Sequence, residues 1–150
     1  MDEVWKPAVT VAAIIERGQK FLLIEEDADG GRVLNQPAGH WEPGETLEQA
    51  CAREALEESA CRFVPRALVG VYRWHSEANG VTYLRFAFSG EMRGFDEGRP
   101  LDHGIVRTVW LGADEIRSSR LQHRTPLVWQ CVEDYLAGRR YPLELIRHVD

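Results

Sequence analysis

The segment Gly39-His-Trp-Glu-Pro-Gly-Glu45-Thr-Leu-Glu-Gln-Ala-Cys-Ala-Arg53-Glu54-Ala-Leu-Glu57-Glu58 sets carboxylates at helical spacing behind a glycine-bearing turn. A helix advances about 100° per residue, so Glu54, Glu57 and Glu58 share one stripe with Leu47, Ala50 and Cys51. Leu, Ala and Cys mark a buried face, and unpaired carboxylates carried into such a face cost several kcal/mol each. A divalent cation compensates that charge. Oxygen donors alone select a hard ion, Mg²⁺ or Mn²⁺, over Zn²⁺.

Neighbouring residues fix where this helix starts. Thr46 and Gln49 stand at capping-box spacing, so the helix is expected to begin at about Leu47, with Glu45 just before it. Gly39 and Gly44 permit a tight loop whose backbone can approach a metal or a phosphate. Arg53 is the helix's cation and is placed to hold Glu45 or Glu57 by charge-assisted hydrogen bonds. Ala52, Ala55 and Leu56, on the side away from the carboxylates, are expected to pack on a sheet or a second helix.

The pattern Gly39, five residues, Glu45, seven residues, Arg53-Glu54-Ala55, one residue, Glu57-Glu58 resembles the Nudix box. It departs at the end, where Ala60 and Cys61 replace the usual glycine and aliphatic residue. If position 60 is left-handed, Ala costs about 1 kcal/mol or more there. Asn35-Gln36-Pro37-Ala38-Gly39-His40, Leu84-Arg85-Phe86, Pro126-Leu127-Val128 and Arg140-Tyr141-Pro142-Leu143-Glu144 resemble the NudJ-type phosphatase branch, a likeness running from about Pro7 to about Ile146.

This resemblance implies a Nudix-like α/β/α sandwich (α/β, α+β class) with a mixed sheet between helices. It also implies hydrolysis of a phosphoanhydride in a nucleoside di- or triphosphate or a thiamine-related pyrophosphate, with Mg²⁺ as cofactor and Mn²⁺ as a substitute. Branch members tend to release inorganic phosphate. Carried over by position, Glu54, Glu57, Glu58 and the carbonyl of Gly39 would hold the metal. Glu45 and Arg53 would tie loop to helix. The proton acceptor stays open between Glu54, Glu58 and a metal that acts on water alone. Asp102, in the loop where some relatives carry an acid, is a further candidate.

Composition bounds the remaining classes. The 150 residues are expected to form one domain with a sizeable core, and 44% hydrophobic with 28% charged residues is ordinary for a soluble globular protein. No apolar run reaches transmembrane length and Met1 to Trp5 carries no leader pattern, so a cytoplasmic location is expected. The net charge of −6 disfavours nucleic acid and anionic membrane as partners. A phosphorylated small molecule is the expected substrate, and the chain is expected to be a monomer or a homodimer. Cys51, Cys61 and Cys131 form no C-x-x-C pair and read as packed, reduced thiols.

Along the chain, Ala8–Ile15 and Lys20–Glu25 read as a hairpin about Arg17-Gly18, and Arg32–Leu34 as a short strand. Phe63–Trp74 and Val81–Phe88 read as strands joined around Asn79-Gly80 that form the outer wall of a pocket. Gly90–Gly104 reads as a mobile loop, Val106–Leu111 as a strand and Pro126–Leu136 as a helix that ends at Gly138. One mixed sheet flanked by two helices is the simplest assembly. The tail from Tyr141 to Ile146 is expected to dock on the domain or on a second subunit.

Substrate contacts are expected from Arg85 on phosphate and Trp74 on a ring, with Trp41 at the mouth of the metal site as a lid, a stacking residue or simple packing. His40 is expected to bond phosphate or to fix its own loop. A silent nucleotide-binding module on the same fold is the competing class, and loss of a box carboxylate would mark it. This chain keeps them all.

Overall fold

The computed structural model describes residues 2–150, so Met1 lies outside the described residues. Its strands are β1 (Ala8–Ile14), β2 (Glu16–Arg17), β3 (Lys20–Ala28), β4 (Gly31–Asn35), β5 (Ala38–His40), β6 (Cys61–His75), β7 (Thr82–Phe95), β8 (Ile105–Gly112) and β9 (Tyr141–Pro142). The helices are α1 (Leu47–Ser59), α2 (Ala113–Ser118) and α3 (Leu127–Leu136), with single 3₁₀ turns at Arg120–Gln122 and Leu143–Leu145.

One sheet runs β5-β1-β7-β6-β9, with β1 parallel to β7 and its other pairs antiparallel. In the second, β3 pairs with β2, β4 and β8. Strand alternation sorts side chains into two cores. Val11, Ala13, Leu22, Leu68 and Phe88 pack with Leu47, Ala50, Cys51 and Ala55 of α1. Ala12, Ile14, Phe21, Leu23, Val69 and Ala87 pack with Val128, Cys131 and Val132 of α3. The result is the expected α/β/α sandwich, each strand feeding both faces because its side chains alternate.

Four expectations are corrected. The sheet is two sheets, because the chain leaves the first at Ile15. Only Glu16-Arg17 pairs with Lys20-Phe21, about a two-residue turn with positive φ at Gly18 and Gln19. β1 instead finds partners more than twenty residues away, which local pattern cannot reveal. Gly90–Phe95 is strand, not loop. A Cβ at Gly90 would collide with the Val64 carbonyl, so this glycine serves a close approach between strands beside a bulge rather than a turn. The short α2 and the turn after it were not anticipated. Finally, α1 packs on the sheet through Leu47, Ala50, Cys51, Glu54, Ala55 and Ser59, while Ala52 and Leu56 are only half-buried. Carboxylates and packing residues therefore share one face.

The start of α1 matches the capping box: Thr46 Oγ1 accepts from the Gln49 amide at 3.1 Å, and the Gln49 side chain accepts from the Thr46 amide at 2.8 Å. The helix ends at Ala60, which is left-handed at φ 60°. Ala60→Gly is expected to stabilise the chain by about 0.5 kcal/mol, since relief of left-handed strain outweighs the added freedom of the unfolded chain. A higher urea midpoint at unchanged slope would show it; a lower midpoint would refute it.

The tail docks on its own chain. Tyr141-Pro142 pairs with Ala67-Leu68, Leu143 and Ile146 pack against the α1-side core, and His148 Nε2 accepts from the Leu47 amide at 3.2 Å. No described helix is long and apolar enough to cross a membrane.

Candidate active site

Arg53 organises the loop before α1. Its Nε and Nη2 donate to the two oxygens of Glu45 at 3.0 and 2.8 Å, a bidentate fork. Nη2 also donates to the His40 carbonyl at 2.9 Å, and Nη1 donates to Glu54 at 2.8 Å and Glu57 at 3.3 Å. Glu45 accepts the Glu42 amide as well, and the Trp41 indole donates to the Glu45 carbonyl. The Arg53 fork holds the Glu45 carboxyl below the usual carboxylate range. Gly44, at φ 84°, makes the turn that lets the loop fold back.

Gly39 has a different reason to be glycine. A Cβ there would overlap the Glu54 carboxylate, so β5 and α1 approach through this one position. Glu54 is 8% exposed, and burial pushes its carboxyl up to about 7, with Arg53 pulling it down and Glu57 and Asp102 adding repulsion. Burial pushes Glu58 up to about 8, opposed by the Ala38 amide that donates to it at 2.9 Å and assisted by Glu54, Glu26 and Asp102.

Glu54, Glu57 and Asp102 each bring a carboxylate oxygen within 4.8 Å of the others. The amide of Asp102 donates to the Glu57 carbonyl at 3.0 Å, which draws the loop after β7 onto α1. Glu58, one turn on from Glu54, accepts the Ala38 amide and lines the same cleft as Glu54. Crowded, partly buried carboxylates with one shared Arg leave excess negative charge, so this donor set fits a hard divalent cation.

Beside this cluster opens a cleft of about 680 Å³. Glu54, Glu58, Gly39 and His40 line one part of it; Trp74, Tyr83, Asn79 and Arg85 line another. Trp74 stacks on Tyr83 with ring centroids 5.8 Å apart. Trp41 is outside the lining, its indole committed to Glu45. Arg85 is not on an outer strand: β7 lies between β1 and β6, and the residue is 5% exposed.

Sequence reasoning missed Glu26 on β3 and Arg124, which also line the cleft and pair at 3.0 Å. Glu26 lies in the middle of the acid run Glu25-Glu26-Asp27, which reads as the approach to a turn. Arg124 sits in a segment with no periodicity. Asn35 and Gln36 were read only for their likeness to the branch, and their amides' contact with Arg85 was not anticipated.

The NUDIX domain family model matches residues 5–130. The chain belongs to the Nudix family. This Nudix chain is 39% identical over 143 residues to a protein named phosphatase NudJ from Shigella boydii, covering 95% of this chain and 92% of that one. The counterpart of the same name in Escherichia coli K12 matches to the same extent. A solved Nudix hydrolase structure from Nitrosomonas europaea is 56% identical, with a TM-score of 0.93 over 96% of this chain and 98% of the other. The protein is a Nudix hydrolase, an enzyme of the family that cleaves phosphoanhydrides.

Proposed function

We propose that this Nudix hydrolase cleaves a phosphoanhydride in a nucleoside di- or triphosphate, or in a thiamine-related pyrophosphate, with Mg²⁺ and with release of inorganic phosphate. The observation that carries this reading is the carboxylate cluster of Glu54, Glu57 and Asp102, whose member Glu54 lines the same cleft as the stacked rings of Trp74 and Tyr83. Likeness to proteins named phosphatase NudJ supports the phosphate-releasing form.

Glu54, Glu57 and Glu58, with the Gly39 carbonyl, would hold Mg²⁺, and Asp102 stands close enough to join them. When bound, the ion neutralises polyphosphate charge and makes water more acidic. The rest is done by the chain itself. Arg53 keeps Glu54 and Glu57 in register with the loop through one guanidinium, and Ala38 fixes the rotamer of Glu58. Glu54 and Glu58, raised toward neutrality by burial, are the side chains suited to accept a proton from attacking water. A panel of nucleotides and thiamine phosphates with Mg²⁺, scored for phosphate against pyrophosphate, tests the reading. Turnover of none of them would refute it.

The same carboxylates set a pH signature. Free glutamates titrate at about 4.3, whereas the folded chain holds Glu54 and Glu58 at about 7 and about 8. Between those limits the folded state binds protons that the unfolded state has lost. Stability without metal is therefore expected to fall as pH rises from about 5 to about 8. Mg²⁺ needs the ionised forms, so its gain in Tm is expected to be larger at pH 8 than at pH 6. Thermal melts with and without Mg²⁺ measure both; a metal effect that shrinks with pH would count against these ligands.

A further inference from the structure

Among the described residues, Arg85 is a buried cation with no carboxylate partner. Buried guanidinium groups are normally paired with acids. Here the hydrogen bonds go to two neutral amides, Gln36 Oε1 at 3.0 Å and Asn35 Oδ1 at 3.1 Å. Gln36 is 1% exposed and donates to the Val128 carbonyl at 2.8 Å, so its oxygen is held toward Arg85. A guanidinium carries five N–H donors and no acceptor. The two amides use two, and the neighbouring Cys131 thiol accounts for at most another. Donors are left over, and Arg85 lines the cleft.

Sheet register says which part of a substrate they meet. His40, Thr10 and Arg85 form one row across β5, β1 and β7. Two strand spacings separate Arg85 from β5, about 10 Å, and β5 is the strand that seats Gly39 against Glu54. Arg85 is therefore set back from the carboxylates that handle phosphate. Tyr83 lies two residues away on the same face of β7, about 7 Å along the strand, stacked on Trp74. A ring face and unspent guanidinium donors sit side by side.

We propose that Arg85, oriented by Asn35 and Gln36, selects a substrate ring whose edge presents two adjacent hydrogen-bond acceptors, with Trp74 and Tyr83 against the ring face. Cytosine (N3, O2) and guanine (N7, O6) carry such an edge. Adenine and an aminopyrimidine place a donor beside each outward acceptor on the amino edge, and uracil places N3–H between its carbonyls. A group that only donates discriminates against those edges. The inference rests on the hydrolase reading of this site and narrows its substrate class to cytosine and guanine nucleotides.

The test is kcat/KM of the full chain with Mg²⁺ on CTP, GTP, ATP, UTP and an aminopyrimidine diphosphate. CTP and GTP are expected to exceed the other nucleotides and the aminopyrimidine by about tenfold or more. Arg85→Lys keeps the charge and loses the planar fork, so the CTP-to-ATP ratio is expected to fall toward one. Equal wild-type rates on all rings would overturn the inference and leave the hydrolase reading standing. Loss in Arg85→Lys that is uniform across nucleotides, with the ratio kept, would assign Arg85 to phosphate and also overturn it. Hydrolysis of none of the compounds would defeat the function on which it rests, and the inference with it. Should Arg85→Lys fail to fold, the wild-type ratios decide alone.

Discussion

Glu58→Gln is expected to lower kcat by a factor of about 10² to 10³ or more while the protein stays folded. Glu58 stands one turn beyond Glu54 on the packed face of α1, and its carboxylate accepts the Ala38 amide at 2.9 Å. Glutamine keeps the shape and an oxygen for that amide, so the local fold has no reason to change. What it removes is the charge, which a Mg²⁺ ion requires and which burial resists up to a pH of about 8. The variant should therefore melt at the same temperature as the parent or higher at pH 8 without metal, and should gain less from Mg²⁺. Wild-type-like turnover would take Glu58 out of the chemistry. A collapse in Tm would mean that its role is structural.

Arg53→Ala is expected to destabilise the chain by about 3 kcal/mol and to abolish turnover. One guanidinium, 22% exposed at the side chain, meets Glu45, Glu54 and Glu57, whose side chains are 16%, 10% and 30% exposed. Removing it leaves those carboxylates crowded and frees the His40 carbonyl, so both the loop and the helix stripe lose their anchor. Arg53→Lys is expected to recover little, because an ammonium cannot reproduce the fork on Glu45 while also reaching Glu54. Urea denaturation at pH 8 checks the stability and phosphate release checks the turnover. A loss below about 1 kcal/mol would show that solvent already screens this network.

The box helix was legible because its information is local. Helical period placed Glu54, Glu57 and Glu58 on one stripe, Thr46 and Gln49 announced its start, and Ala60 marked a strained end that the structure has at φ 60°. Apart from the β6–β7 hairpin announced by Asn79-Gly80, the sheets were legible as strands and not as neighbours. Nothing near Ala8–Ile14 says that it runs parallel to Thr82–Phe95, since that pairing is decided by which apolar faces can be buried together. Gly90 misled for the same reason: a glycine required by the Val64 carbonyl of a strand far back in the sequence looks like one required by a turn.

The family and a set of clustered oxygen donors could be read from the segment Gly39 to Glu58, because helix geometry converts the spacing of its carboxylates directly into a shared face. The surroundings of that face needed the third dimension. Only the folded chain carries Asp102 to Glu57, sets Glu54 against Gly39, and buries Arg85 mid-sheet between two amides with donors to spare. Those contacts join segments that have no sequence periodicity in common, and sheet pairing with two-sided packing is the physical process that brings them together.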